Sequence, residues 1–270
     1  MRIKGNHELI QKLHISKFGQ KNTFAPALLF IHGWGLNSAI WQPLVEILQQ
    51  DFQVYCLDLP GHGGSSLEAV EFSLEAVAQE AMKIIHAPLY VIGWSLGGQF
   101  ALKMAELYSE QVLGLLLIAN NPRFTTTSNW TAALDRSVLK QFSEQLETDF
   151  EKTLQRFLAL QVQSGTQQKT SIQFLQRSIQ EAGRPCKEGL RVGLKLLTTT
   201  DMRTTFSGLK CPLHAILGGR DKLVPIALRH ELLRLNKTVK ITTIESAAHL
   251  PFFSHQDQCA VLIKEFVNDV

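Results

Sequence analysis

The chain has 270 residues, 45% of them apolar, and sets 27 Lys and Arg against 24 Asp and Glu for a formal net charge of +3. That length and apolar content allow one large domain or two small ones. So balanced a charge gives no global pull towards nucleic acid or an anionic membrane surface.

Taken in order, residues 28–31 are an apolar run closed by Gly33, which predicts a short buried strand. Residues 39–48 put Ile40, Leu44, Ile47 and Leu48 on one side of a helix. A second strand is predicted at 52–57, stopped by Pro60-Gly61. A helix at 74–85, a strand at 89–92, a helix at 96–107 and a strand at 113–118 follow. Strands alternating with helices imply a parallel sheet covered on both faces. The rhythm changes after Asn121-Pro122. From there to about 206 the pattern is helix after helix, rich in Gln and Thr, with no convincing strand. The alternation resumes with a strand at 213–217, a helix near 226–235, a strand at 240–244 and a last helix at 256–267. The simplest organisation is an α/β core of residues 1–121 and 207–270, interrupted by a helical insertion at 122–206. An insertion at the carboxyl edge of the sheet would lie over the ligand crevice as a lid.

The first 22 residues hold no apolar stretch long enough for a signal-peptide core. The longest aliphatic run, around 112–119, is far too short for a membrane span. Cys56, Cys186, Cys211 and Cys259 lie far apart with no CxxC pair, which speaks against a structural zinc site and for a reduced, cytoplasmic setting. All four read as buried or partly buried small apolar residues.

The segment GWSLGG, residues 93–98, follows a predicted strand and precedes a predicted helix. That is the context in which G-x-S-x-G forms a sharp turn with the serine at its apex, so Ser95 is the candidate nucleophile. The alternative is an ordinary tight strand–helix turn. A serine hydroxyl needs a base. Of nine histidines, His249 in SAAHLPFFSH follows the last predicted strand, while the nearby His255 is expected to start or cap the final helix. Asp221 in GGRDKLVP lies just beyond the preceding strand and is the candidate acid, which would hold one histidine tautomer. A turn aspartate is the alternative reading. Asp58 in DLPGHG competes for the role but reads better as a turn-forming carboxylate. A tetrahedral intermediate needs two amide donors. Leu96 supplies one as the residue after the nucleophile, and Trp34 in HGWG, residues 32–35, is chosen for the other, with His32 bracing the loop. There is no G-x-x-x-x-G-K-[ST] phosphate loop and no H-E-x-x-H zinc helix. No metal or cofactor is called for.

These motifs, in this order, resemble the α/β-hydrolase superfamily across essentially the whole chain. HGWGLN at 32–37, DLPGHG at 58–63, GWSLGG, DFEKTLQRFLALQ at 149–161, LVP at 223–225 and AAHLPFFSH at 247–255 resemble more closely the pimeloyl-acyl-carrier-protein methyl ester carboxylesterases of biotin synthesis. The resemblance implies hydrolysis of a methyl ester on a pimeloyl chain borne by acyl carrier protein, with Ser95, Asp221 and His249 in the triad roles and Trp34 and Leu96 at oxyanion and ester-contacting positions. It also implies that Phe157, Leu158, Ala159, Leu160 and Gln161 line the acyl channel. The family's lid grips the acidic carrier with arginines; Lys152 and Arg156 fall on two of those places, Lys169 is a third, and Gln173 stands where another arginine is expected. From 152 to 203 the chain carries nine Lys and Arg against three Asp and Glu, so the rest is net acidic, and a cationic lid suits an anionic partner. The expected molecule is a monomeric, cytoplasmic carboxylesterase with no nucleic-acid or membrane partner. Rival readings are a promiscuous short-chain or aryl esterase or a carbon–carbon-bond hydrolase of the same fold, and a binding protein without catalysis.

Overall fold

The computed structural model describes residues 13–19 and 26–269. Most of the first 22 residues, on which the absence of a signal-peptide core was read, lie outside the described residues. Among the described residues seven strands form one sheet: β1 (Ile15–Phe18), β2 (Ala27–Ile31), β3 (Gln53–Leu57), β4 (Leu89–Trp94), β5 (Val112–Ile118), β6 (Leu213–Gly218) and β7 (Lys240–Ile244), in the order β1-β3-β2-β4-β5-β6-β7. Only β1 runs antiparallel, pairing Ile15 with Leu57 and Phe18 with Val54 on the edge; the other pairs are parallel. Strands β2, β4 and β6 are buried along their whole length, and β5 along all but Leu113 near its start, as suits parallel strands with both faces covered. Helices α1 (Gln42–Leu48), α2 (Leu74–Ile84), α3 (Leu96–Leu107), α9 (Leu228–Leu235), α10 (Pro251–Ser254) and α11 (Gln256–Asn268) belong to this α/β body. Among the described residues no helix is long and apolar enough to cross a membrane.

Between β5 and β6 the chain forms α4 (Arg136–Thr148), α5 (Phe150–Val162), α6 (Gln168–Ala182), α7 (Lys187–Thr199) and α8 (Arg203–Gly208). Each of the first four has one apolar face: Leu139, Phe142 and Leu146 on α4, Leu154, Phe157 and Leu158 on α5, Phe174, Leu175 and Ile179 on α6, Leu190, Leu194 and Leu197 on α7. Packed together and on the body, these faces make a second apolar layer at the carboxyl edge of the sheet.

Four expectations need correction. The strand β1 was not foreseen, because four half-buried residues, ISKF, give no apolar run. Residues 122–135 are not helical but an irregular loop with isolated bridges Thr125↔Leu134 and Thr127↔Trp130. The first expected helix opens as a 3₁₀ turn, Ser38–Trp41, capped by Asn37, before Pro43 in the first turn of α1 continues it. Cys186 is exposed rather than partly buried: it precedes α7, and its Sγ accepts the Gly189 N–H at 3.2 Å, a capping task done at the surface.

Candidate active site

Strands β2 and β4 are neighbours, yet the chain leaves them towards opposite sides of the sheet, β3 beyond β2 and β5 beyond β4. Such a switch point opens a crevice at the carboxyl ends of the strands. The loop 32–37 leaves β2 there and Ser95 leaves β4 there, in register, since Ile31 pairs with Gly93.

Ser95 sits at φ 53°, ψ −120°, a conformation that costs on the order of 1–3 kcal/mol for a non-glycine residue. The surroundings enforce it. Its N–H donates to Ile118 O at 3.0 Å, and its C=O accepts from the Gly98 N–H at 3.0 Å. Glycine is required on both sides of the turn: a Cβ on Gly93 would come within 2.6 Å of Gly98 Cα, and one on Gly97 would strike the Ile31 carbonyl oxygen. The twelve-residue helix α3 starts at Leu96 and aims its N-terminal amides at the crevice. Among the described residues neither the Leu96 nor the Trp34 N–H donates to a backbone carbonyl.

His249 and Asp221 meet behind the crevice. His249 Nδ1 lies 2.7 Å from Asp221 Oδ2, and both side chains are wholly buried. A carboxylate can only accept, so Nδ1 carries the proton, and in the neutral imidazole the lone pair is on Nε2. Nε2 is buried and without a partner among the described residues; no hydrogen bond joins it to Ser95 in this structure. Asp221 also does the turn work that was its alternative reading, because Oδ1 accepts the Leu223 and Val224 N–H groups at 2.8 and 3.0 Å. The His249 backbone is pinned from two sides: its N–H donates to Gln161 O at 3.1 Å, and its C=O accepts Trp94 Nε1 at 2.8 Å. The Trp94 and His249 rings lie 5.4 Å apart. Trp94 precedes Ser95, so one residue ties the turn to the histidine loop. The sequence reading assigned Trp94 no such role, and nothing in its spacing marks it.

His255 precedes α11, as expected, but its ring bonds Ser246 Oγ at 2.7 Å and Ser254 Oγ at 2.9 Å instead of capping the helix. Asp58 lies elsewhere: it accepts from Ser38 N at 2.6 Å, Gly64 N at 2.9 Å and His14 Nδ1 at 2.8 Å. Burial pushes its carboxyl up, but the His14 hydrogen bond, the nearby His32 and the two amides outweigh burial and leave it below the ordinary carboxylate value. His32 accepts the Leu59 N–H on Nε2 at 3.0 Å and donates from Nδ1 to Gly33 O at 2.8 Å, bracing the loop, and burial lowers its pKa.

The five residues 157–161 do not share one environment. At 100° per residue a helix cannot turn five consecutive side chains one way. Phe157, Leu158 and Gln161 are buried, Leu160 is half-buried and Ala159 is exposed. Phe157 packs edge-on against Trp34, centroids 4.5 Å apart, and Trp34 Nε1 reaches from the body to Leu190 O on α7 at 2.8 Å. Gln161 is 1% exposed, yet neither its Oε1 nor its Nε2 has a partner among the described residues. Ala159 and Leu160 instead line an outer groove between α5 and α6 of about 690 Å³, together with Arg156, Val162, Lys169 and Ile172.

Lys152, Arg156 and Lys169 are all exposed, and among the described residues none has a carboxylate within ion-pair distance. Arg156 bonds Gln145 Oε1 at 2.6 Å. The cationic excess counted from 152 needs correction, because carboxylates just before that window reach into it. Glu147 pairs with Lys187 and Arg191, and Glu151 with Arg184. Hydrogen bonds from Arg191 and Lys187 hold the Glu147 carboxyl down to about 2. Of the cations of this window left without a carboxylate among the described residues, Arg156 and Lys169 line the α5–α6 groove, Lys152 lies one turn before Arg156 on α5, and Lys195 stands apart on α7. Among the described residues no group of three His, Cys, Asp or Glu is placed to hold a metal.

A family model described as alpha/beta hydrolase fold matches residues 26–256. A relative from Xanthomonas axonopodis pv. citri, named pimeloyl-[acyl-carrier protein] methyl ester esterase, is 38% identical over 258 residues, which is 96% of this chain and 100% of that protein. A protein of the same name from Pseudoalteromonas atlantica is 35% identical, over 89% of this chain and 93% of its own. Among solved structures, an esterase from Exiguobacterium antarcticum superposes with a TM-score of 0.84 at 17% identity, covering 95% of each chain. The enol-lactonase of Burkholderia xenovorans does so with 0.81 at 18%, covering 95% of this chain and 96% of its own; both attest the fold. The chain belongs to the α/β-hydrolase family and, within it, to the group formed by the pimeloyl-[acyl-carrier protein] methyl ester esterases.

Proposed function

We propose that this protein is a serine carboxylesterase that hydrolyses the methyl ester of pimeloyl-acyl carrier protein, and that its product serves biotin precursor synthesis. The observation that carries the reading is the buried 2.7 Å Asp221–His249 pair with its unpartnered Nε2, beside a serine held on a strained turn. The relatives' shared name supplies the substrate.

In this reading His249 Nε2 takes the proton of Ser95 Oγ as the oxygen attacks the ester carbon. The oxyanion of the tetrahedral intermediate is met by the Leu96 and Trp34 N–H groups. Collapse breaks the bond to the methoxy oxygen, which leaves as methanol with the proton from His249. The acyl-enzyme then carries the pimeloyl chain on Ser95 at one end and the carrier thioester at the other. Water, deprotonated by His249, attacks the same carbon and releases the free carboxylate. Phe157, Leu158 and Gln161 face this chemistry from α5, where the unsatisfied Gln161 amide offers a hydrogen bond inside an otherwise apolar channel. Lys152, Arg156 and Lys169 take the acidic carrier on the outer side of the lid, residues 122–206. The protein acts as a cytoplasmic monomer.

The test is to give the purified protein the carrier-bound methyl ester and a p-nitrophenyl ester of a short acid. Methanol and a free carboxylate should appear in equal amounts, with the higher kcat/KM on the carrier-bound ester. Hydrolysis of the small ester alone would favour the promiscuous-esterase reading, and hydrolysis of neither would favour a binding protein.

A further inference from the structure

Beyond β5 the chain takes a second positive-φ step, at Ala119 with φ 44°. Its N–H remains tied to Ile216 O at 2.8 Å. The next two residues are both asparagine, both buried, and bonded in opposite directions. Asn120 Nδ2 donates to the carbonyl oxygen of Ser95 at 2.8 Å. Its Oδ1 has no partner among the described residues, so the amide's place is set by that one donation; the reverse orientation would set oxygen against oxygen. The fit is close, since a Cβ on Gly98 would overlap the Asn120 amide.

Asn121 binds the other way. Its Nδ2 donates to Ala132 O at 2.8 Å, and its Oδ1 accepts the Arg123 N–H and Trp130 Nε1, each at 3.2 Å. Its C=O accepts Gln99 Nε2 from the first turn of α3 at 2.6 Å. The same stretch holds the far end of the helical segment: Met202 N–H donates to Pro122 O at 2.8 Å, Arg123 pairs with Asp201 at 2.5 Å, and the Arg203 guanidinium lies 5.3 Å over the Trp130 ring.

The Ser95 carbonyl and the Leu96 N–H belong to one peptide plane. Whatever fixes the carbonyl fixes the direction of that N–H. We infer that Asn120 is a positioning residue that aims the Leu96 N–H at the developing oxyanion, and that the Asn120-Asn121 pair joins this peptide to the root of the helical segment. The inference rests on Ser95 being the nucleophile. An oxyanion donor acts on the transition state and hardly on the bound ester, so misaiming it lowers kcat and leaves KM in place.

Asn120→Asp keeps the shape and removes the donor; Asn120→Ala removes both. On a p-nitrophenyl ester, kcat should fall about 10–100-fold in each with KM within about twofold. Inhibition by an alkylboronic acid, which mimics the tetrahedral state, should weaken by the same factor as kcat. A folded variant with unchanged kcat, or with kcat lost while boronate affinity stays, overturns the inference. So does failure of both variants to fold, which would make Asn120 a folding residue. Ser95→Ala, assayed alongside, separates the two ideas: if it keeps activity the nucleophile reading falls, and if it is dead while the Asn120 variants are normal only the positioning role falls.

Discussion

The α/β body and the helical segment between β5 and β6 both carry ion pairs at their surface, but among the described residues only the body buries ionisable side chains. In the body, Asp58, Asp221, His32 and His249 are buried, and every carboxylate oxygen of the two aspartates has a partner. In the segment the charges lie outside, paired across helices as Arg184–Glu151 and Arg191–Glu147 are or left open as at Lys152, Arg156 and Lys169. Its interior is apolar apart from a few groups such as Thr153 and Gln161. Buried, satisfied polar groups hold one geometry, and exposed ones shape a field. In the proposed function the body thus supplies the fixed reaction geometry, and the segment meets the shape and charge of what arrives. Changes in the body should strike kcat, and changes on the outer face of the segment should strike the encounter with a macromolecular substrate.

The largest effect expected is that of Ser95→Ala. Ester hydrolysis should fall by roughly 10³–10⁶, because triad members act as a unit, while far-UV circular dichroism stays that of the wild type. Turnover near the wild-type rate would break the division at its root. Asp221→Asn should follow, with a loss of about 10⁴ in kcat as in one well-studied triad protease, since an amide cannot hold the His249 tautomer. Asp58→Asn, whose partners are Ser38, Gly64 and His14, should lower thermal stability and leave most of kcat. If the two exchange these phenotypes, the acid has been misassigned.

On the segment, Lys152→Glu together with Arg156→Glu should lower kcat/KM for the carrier-bound ester about tenfold at low salt and flatten its salt dependence. The p-nitrophenyl ester should be hydrolysed normally. Equal loss on both substrates would make this face structural. The smallest effect lies at the edge of the sheet. The hydrogen bond to Asp58 raises the pKa of His14 above 6.5, and Asp58 sits below 3.8. The His14 contribution is present below the unfolded histidine value and fades as pH rises through the raised folded one. That of Asp58 is present above the unfolded carboxylate value and fades as pH falls through the lowered one. The pair therefore stabilises most between these limits. His14 is half exposed, so the contribution is under about 1 kcal/mol. His14→Ala should cost stability at pH 5.5 and almost none at pH 9, as read by denaturant midpoints. Equal costs at both would show packing and not the charge.

The same contrast explains what the sequence could disclose. Strands β2 and β4 are unbroken apolar runs, and β6 is interrupted only by the buried His214, because both faces of the sheet are covered, and the turn at Ser95 needs glycines that stand out by position. Strand β1 escapes because an edge strand of four residues needs no such run. The helical segment was legible as helices, but not in how its surface charges pair, because Glu147 and Arg191 are brought together only by the packing of α4 on α7. The division of 157–161 between buried and groove-lining positions follows from helical period alone and could have been read in advance. Asn120 could not: its role depends on a positive φ at Ala119, and an alanine gives no warning of one.

The most direct measurement traps the acyl-enzyme. With the carrier-bound methyl ester as substrate, the intermediate joins the chain covalently to the carrier through Ser95. An acid-quenched early time point, analysed by intact mass and then by peptide mapping, should show the mass of the chain plus the carrier ester less one methanol, with the bond on Ser95, and no such species for Ser95→Ala. Methanol release without any adduct, or an adduct on another residue, would contradict the account.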